Sequence, residues 1–315
     1  MLPSRYNREN LLRVLRDPRR ITTEFEELAH RVDRIAAERV HPREEAITAM
    51  DEEWDNLLIL DGCRFDLFED HHDLPGELRK VQSPGSQSLE FMRTNFVDRT
   101  HHDTVYVTAN PFVTHLDDGI FHRVVNLFDD AWDDDLETVP PGAVVEATRD
   151  ARERYPNKRL LVHFMQPHYP FIGELGRQLE SGALAPVEDL ESKTGDSIWR
   201  RLSRGDAEVS EETVWDAYVE NFDLVHEHVA DLTESLDGKS VVTADHGNLV
   251  GERLWPIPVR RYGHPSGLRV PELIDVPWHE LPVDERRTVE PDPPESTADV
   301  SSETVEDRLG HLGYV

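Results

Sequence analysis

The apolar run Val241-Val242-Thr243-Ala244 ends in Asp245-His246-Gly247, setting a carboxylate beside an imidazole. At the carboxyl edge of an open α/β sheet, where such folds build their sites, this pair offers a hard oxygen and a nitrogen donor to a divalent cation. A second imidazole, His264, follows 18 residues later, behind Gly263. The layout is that of metal-assisted hydrolysis. The bland alternative is a helix cap at Asp245 with His246 packed beneath it.

Three further segments supply what such a centre needs. Asn56-Leu57-Leu58-Ile59-Leu60 reads as a buried parallel strand ending in Asp61, which meets Asp245 if the two strands are near neighbours. Two carboxylates and one or two imidazoles suit one divalent ion, with Zn, Mn, Mg or Ca all admissible. Ser83-Pro84-Gly85-Ser86-Gln87-Ser88 carries hydroxyls on a turn entering a helix near Leu89. There, backbone N–H groups favour an anion, although a serine before a helix is first of all an N-cap. Coordination to a metal would lower a hydroxyl pKa and let it attack phosphorus or sulfur at neutral pH. In the third segment, Leu160 to Phe171, His168 can donate to an oxyanion or a leaving group. His163, inside the strand, reads as a core residue or a support for the ligands. Arg64 and Arg93 are candidates for gripping an anionic group, or plain surface arginines.

Apolar strands at Thr104–Thr108, Arg123–Asn126, Arg159–Phe164 and Ser240–Thr243 alternate with helical stretches at Val144–Tyr155 and Glu212–Leu236. That alternation predicts an α/β fold with a doubly wound sheet. Residues 1–50 read as an N-terminal helical extension, with Leu11, Leu12, Val14, Leu15, Phe25, Leu28, Val32 and Ile35 at helical spacing. Residues 51–282 form the expected catalytic domain, in which 174–210 looks like an insertion able to overhang a site. Residues 283–315 read as a Pro-rich linker and a tail with a short helix over Val305–Val315. The acidic knot Asp129 to Asp135 lacks the spacing of a calcium loop and is expected to be a solvated surface. The pairs His71-His72 and His101-His102 have no i, i+4 partner and are expected at the surface.

The chain has 315 residues, 64 acidic against 34 basic side chains, and a formal charge of −30. Such a surface repels nucleic acid and anionic membranes, so no nucleic-acid partner is expected. Lysine occurs only at Lys80, Lys158, Lys193 and Lys239, a profile like that of proteins from salt-accumulating halophiles. The single Cys63 forms no internal disulfide, no apolar leader is visible, and no stretch approaches the ~18 apolar residues of a membrane span. A cytoplasmic protein of undetermined oligomeric state is expected.

Taken in order, Asp61 after Leu-Ile-Leu, the Ser-rich turn, His163-Phe-Met-Gln-Pro-His168-Tyr-Pro, Tyr218 and Asn221, Thr-Ala-Asp245-His246-Gly247, Gly263-His264 and Arg269-Val-Pro271 resemble the sulfatase-like branch of the alkaline phosphatase superfamily. The resemblance covers roughly residues 54–278. It implies a three-layer α/β/α sandwich with a mostly parallel central sheet and a metal-dependent hydrolase of phosphate or sulfate esters, its substrate a small-molecule anionic ester, acting through a covalent intermediate. It also implies that Asp61, Ser88, Asp245 and His246 gather round one metal, that His168 faces the substrate, and that His264 lies near the substrate or at a second metal. Ser86 remains an alternative nucleophile, and Arg64, three residues past Asp61, an anion contact. No C/S-x-P-x-R signature surrounds either serine or Cys63, so an unmodified serine is expected rather than formylglycine. Asp61 is followed by Gly62 rather than a second Asp, and no Asp/His pair four apart accompanies His168, so one ion is expected. Transfer of the group to a sugar or lipid-headgroup hydroxyl, or a degenerate binding protein, are the alternative outcomes.

A charge of −30 repels itself until salt screens it. The melting temperature should therefore rise from about 0.1 M to about 1 M KCl, as the Debye length shrinks from ~10 Å to ~3 Å. A flat or falling melting curve series would show that the acidic surface carries no such strain.

Overall fold

The computed structural model describes residues 18–181, 198–205, 207 and 209–295. The helices expected in residues 1–17 and over Val305–Val315, and the central part of the insertion, 182–197, lie outside the described residues. In chain order the elements are α1 (Pro18–Val40), β1 (Asn56–Leu60), α2 (Phe65–His71), β2 (Glu77–Gln82), α3 (Ser88–Phe96), β3 (His101–Thr108), β4 (Phe121–Asn126), α4 (Leu127–Asp130) and α5 (Pro141–Arg154). There follow β5 (Arg159–Phe164), α6 (Glu174–Ser181), α7 (Ile198–Arg204), α8 (Glu211–Ser235), β6 (Ser240–Thr243), β7 (Leu249–Arg253), β8 (Arg260–Gly263), α9 (Pro271–Ile274) and β9 (Asp275–Glu280).

Seven strands form one sheet in the order β2-β9-β6-β1-β5-β3-β4, and β7 pairs with β8 as a separate hairpin. Strand β1 runs parallel to both β5 and β6, while β9 runs antiparallel to its neighbours β6 and β2. This is the α/β fold, with a mostly parallel sheet between helical layers, that the alternation of elements predicts. The apolar run of β1 has a simple cause. Leu58 and Leu60 face a core built with α2, α5 and α8, while Leu57 and Ile59 face a second core with Trp54, Phe91, Phe96 and Trp278. With both faces covered, all four side chains from Leu57 to Leu60 are apolar, each contributing about 1.5–3 kcal/mol through burial, and buried Asn56 at the start of the strand donates to Asp237 O and Ser240 Oγ.

The five strands expected from sequence are present, and four more join them. Strand β2, Glu-Leu-Arg-Lys-Val-Gln, is a charged, half-exposed sheet edge without apolar alternation. Strand β9 carries Pro277, which in an isolated sequence argues against a strand. Both are held by pairing across the sheet rather than by local propensity.

Helix α1 braces the β7–β8 hairpin. Buried Asp33 accepts from Ile257 N at 3.2 Å and pairs with Arg261 at 3.3 Å, while Ala37 packs among Leu249, Leu254 and Leu268. Because the hairpin links His246 to His264, this bracing governs how those rings meet. The Pro-rich stretch after β9 lies against the body: Arg286 binds Asp55 at 2.8 Å and Glu295 accepts from Tyr155 Oη at 2.8 Å. No helix among the described residues is long and apolar enough to cross a membrane.

Candidate metal centre

Adjacent parallel strands β1 and β6 end at the same edge of the sheet, so Asp61 and Asp245 arrive side by side, both fully buried. Gly62 and His246 donate their backbone N–H groups to Asp245 Oδ1 at 3.1 and 2.9 Å, which leaves Oδ2 to face the site. Asn110, just past β3, donates to Asp61 Oδ2 at 2.6 Å. Asp61 Oδ1 and Asp245 Oδ2 have no hydrogen-bond partner. The turn after β1 needs its glycine: Gly62 has φ +66°, and a Cβ there would crowd His168 Cδ2 at 3.3 Å. Gly247 is constrained too, since a Cβ would lie 2.1 Å from Glu272 O.

His246 offers its Nε2 to this space because Nδ1 donates to Gly247 O at 2.7 Å. From that Nε2 the distances are 3.5 Å to Asp61 Oδ1, 3.5 Å to Asp245 Oδ2 and 3.4 Å to Ser88 Oγ. Ser88 Oγ also lies 3.3 Å from Asp61 Oδ2. Four donors around an ion at bond lengths of about 2.0–2.1 Å stand about 3.3–3.4 Å apart along each tetrahedral edge. The three distances from His246 Nε2 are close to such edges, and two orphan carboxylate oxygens with an imidazole and a hydroxyl make a donor set that fits a divalent cation.

His163 enters the same space from β5. Asp61, His163 and Asp245 form a buried group whose ligand atoms all lie within 4.8 Å of one another, and which could hold a metal. Its Nε2 is 3.5 Å from Asp61 Oδ2 and 3.7 Å from Asp245 Oδ2, while its Nδ1 meets Tyr106 Oη at 3.0 Å. Burial alone would raise the Asp61 pKa; the facing His163 and the imidazoles of His168 and His246 outweigh it and hold the carboxyl below the usual range.

Ser88 opens α3, and its side chain points at Asp61. Ser86 is spent elsewhere, donating to Pro265 O at 3.0 Å and lying 3.2 Å from Glu90 Oε2. On the far side of the site His168 Nδ1 donates to Tyr169 O at 2.5 Å, and its Nε2 stands 2.9 Å from His264 Nε2. The second contact requires one shared proton, carried on His264 Nε2. Burial pushes both imidazoles below the usual histidine pKa, with His246 lowering each further. The His246 and His264 ring centroids are 4.7 Å apart, so this pair borders the donor cluster directly.

Arg64 lies beside the site, but its guanidinium is taken by Asp66, Glu252 and the carbonyl of Asn248, and it stacks over Trp215 at 4.9 Å. Arg93 is exposed on α3. Tyr218 and Asn221, part of the motif order but given no role there, do much of the positioning. Tyr218 donates to Gly62 O and accepts from Arg64 N at 3.3 Å, which clamps the turn after Asp61. Asn221 donates to Pro167 O at 3.0 Å and His168 O at 3.1 Å and accepts from Ile172 N at 3.0 Å, holding the His168 loop. Trp199 of α7 packs on Gly263, one residue before His264, so part of the expected insertion does adjoin the site.

No family model matches the sequence, and no curated protein matches it. Among solved structures the chain is similar to the C-terminal periplasmic domain of EptC from Escherichia coli, with 10% identity, 74% of each chain covered and a TM-score of 0.42. It is similar to the C-terminal periplasmic domain of phosphoethanolamine transferase EptC from Campylobacter jejuni, with 10% identity, 71% of this chain and 77% of that one covered, and a TM-score of 0.40. A third is the integral membrane lipooligosaccharide phosphoethanolamine transferase A from Neisseria meningitidis, with 11% identity, 72% of this chain and 47% of that one covered, and a TM-score of 0.40. The chain thus spans about half the length of the Neisseria protein.

Asn110 donates to Asp61 Oδ2 and so holds the carboxylate in its orientation. Asn110→Ala should lower divalent-metal affinity about 10- to 100-fold, as loss of a hydrogen bond behind a ligand does. Calorimetric titration of metal-free protein measures it, and unchanged affinity would show that Asp61 is not a ligand.

Proposed function

We propose that this chain is a metal-dependent hydrolase of phosphate or sulfate esters that uses Ser88 as an unmodified nucleophile. The observation that supports this most is the convergence of Ser88 Oγ with Asp61, Asp245 and His246 at donor spacing around one buried point. Asp61, Asp245, His246 and Ser88 would hold the cation, with His163 behind the two carboxylates. A divalent ion bound there lowers the Ser88 hydroxyl pKa and screens charge on the transferred group.

The remaining work falls to the chain. Ser88 Oγ forms a bond to phosphorus or sulfur as the ester oxygen departs in line, leaving a phosphorylated or sulfated serine. The neutral His168–His264 pair takes the Ser88 hydroxyl proton as that bond forms and passes it to the departing alkoxide, which leaves as the alcohol. The pair, neutral again, takes a proton from an entering water; the hydroxide displaces Ser88 Oγ, which recovers that proton from the pair, and inorganic phosphate or sulfate is released. Neutral imidazoles suit both halves, and their lowered pKa values keep them neutral near pH 7. Arg64, neutralised by two carboxylates, would orient the turn between Asp61 and α2 and steady Glu252 rather than bind the substrate.

The test is turnover of aryl phosphates and aryl sulfates by metal-loaded protein in high salt. Ser88→Ala and Asp245→Ala should each reduce kcat by about three orders of magnitude or more, because nucleophile and ligand act as one unit. A phosphoryl or sulfuryl adduct should be trapped on the Ser88 peptide after an acid quench. Near-normal activity of Asp245→Ala, or an adduct on another residue, would overturn the mechanism. An added alcohol decides between water and a hydroxyl as the final acceptor, since transfer yields the new ester in place of the inorganic anion.

A further inference from the structure

We propose a second divalent-cation site, at the opposite end of α2 from the catalytic centre, formed by His72, His226, His279 and Asp73. The pair His71-His72 looks like a plain surface feature in the sequence, since no ligand lies at helical spacing. The fold supplies partners from far along the chain: His226 from the middle of α8 and His279 from β9.

The rings of His72 and His279 are 4.7 Å apart between centroids, and His226 Nε2 lies 3.4 Å from Asp73 Oδ1. His226 is close enough to both other imidazoles to act on their protonation. Three nitrogens in this patch, His72 Nδ1, His226 Nε2 and His279 Nδ1, are buried without a hydrogen-bond partner. Buried polar atoms are nearly always partnered, so three imidazole nitrogens together need an explanation. For His279 the tautomer follows from geometry: Nε2 meets Pro75 O at 3.1 Å and must donate, so Nδ1 presents a bare lone pair. Burial keeps all three imidazoles on the neutral, ligating side of their titration.

Three imidazoles and a carboxylate make a donor set for zinc or a neighbouring transition metal, not for magnesium or calcium. The donors are spread more widely than the Asp61, His163 and Asp245 group, whose atoms lie within 4.8 Å, so binding must draw them inward. Asp73, with its side chain 90% exposed, is free to make that movement. The consequence is structural. An ion here ties the end of α2 to α8 and β9, and α2 is the helix that leaves the Asp61 turn about 10 Å away.

Zinc binding by the full chain, stripped of metal, tests the proposal through stoichiometry rather than activity. Wild type should bind two ions, the double variant His226→Gln/His279→Gln one, and Asp245→Asn one. Zinc should raise the melting temperature of Asp245→Asn but not that of a variant lacking both centres. If the double variant does not fold, His72→Gln, at a partly exposed position, should weaken one of the two ions at least about tenfold. The proposal is overturned if the histidine variants bind as many ions, as tightly, as wild type. Failure of the catalytic reading looks different: wild type and Asp245→Asn would each bind one ion, lost only with the histidines.

Discussion

Two carboxylates, Asp61 and Asp245, are buried together, and among the described residues neither is paired with a lysine or an arginine; His163 and His246 face them instead. The ligand atoms of the two aspartates lie within 4.8 Å, a separation at which two negative charges repel by at least about 3 kcal/mol at an effective dielectric near 20. His168 and His264, whose pKa values burial lowers, add no positive charge near pH 7. The nearest guanidinium, Arg64, is already matched by Asp66 and Glu252. A fold that keeps such a pair must compensate it, and the donor spacing shows where a divalent ion would do so.

Much of the rest of the structure maintains that arrangement. Parallel pairing of β1 with β6 sets the two aspartates at one height, and pairing with β5 brings His163 in from the other side. Tyr218 and Asn221, on the buried face of α8, hold the Asp61 turn and the His168 loop, so a single helix registers both halves of the site. Helix α1 does the same for the hairpin between His246 and His264. The site is therefore built on rigid elements, with its loops fastened to them by side-chain hydrogen bonds.

The convergence of Asp61, Asp245 and His246 is legible because a buried strand running straight into a carboxylate is a pattern visible in one dimension. The five apolar strands were legible for the same reason, and so was the α/β class. The choice between Ser86 and Ser88 was not, because both sit on one turn and only the course of the chain decides which hydroxyl meets Glu90 and which meets Asp61. Asn110 and Tyr106 carry no local signal at all; strand order makes them neighbours of Asp61 and His163. Strands β2 and β9 escaped notice because an edge full of charge and a strand containing proline draw their stability from their partners. His72 and His279 come together for a like reason, through the packing of α2 against β9.

A crystal structure of the zinc-loaded protein, with anomalous data collected on both sides of the zinc absorption edge, tests the central claim most directly. The account predicts an anomalous peak at the carboxyl edge of β1 and β6, about 2.0–2.2 Å from Asp61, Asp245 and His246, with Ser88 Oγ in reach. A zinc-saturated crystal with no peak between the two aspartates, or with Ser88 turned away from it, would contradict the account.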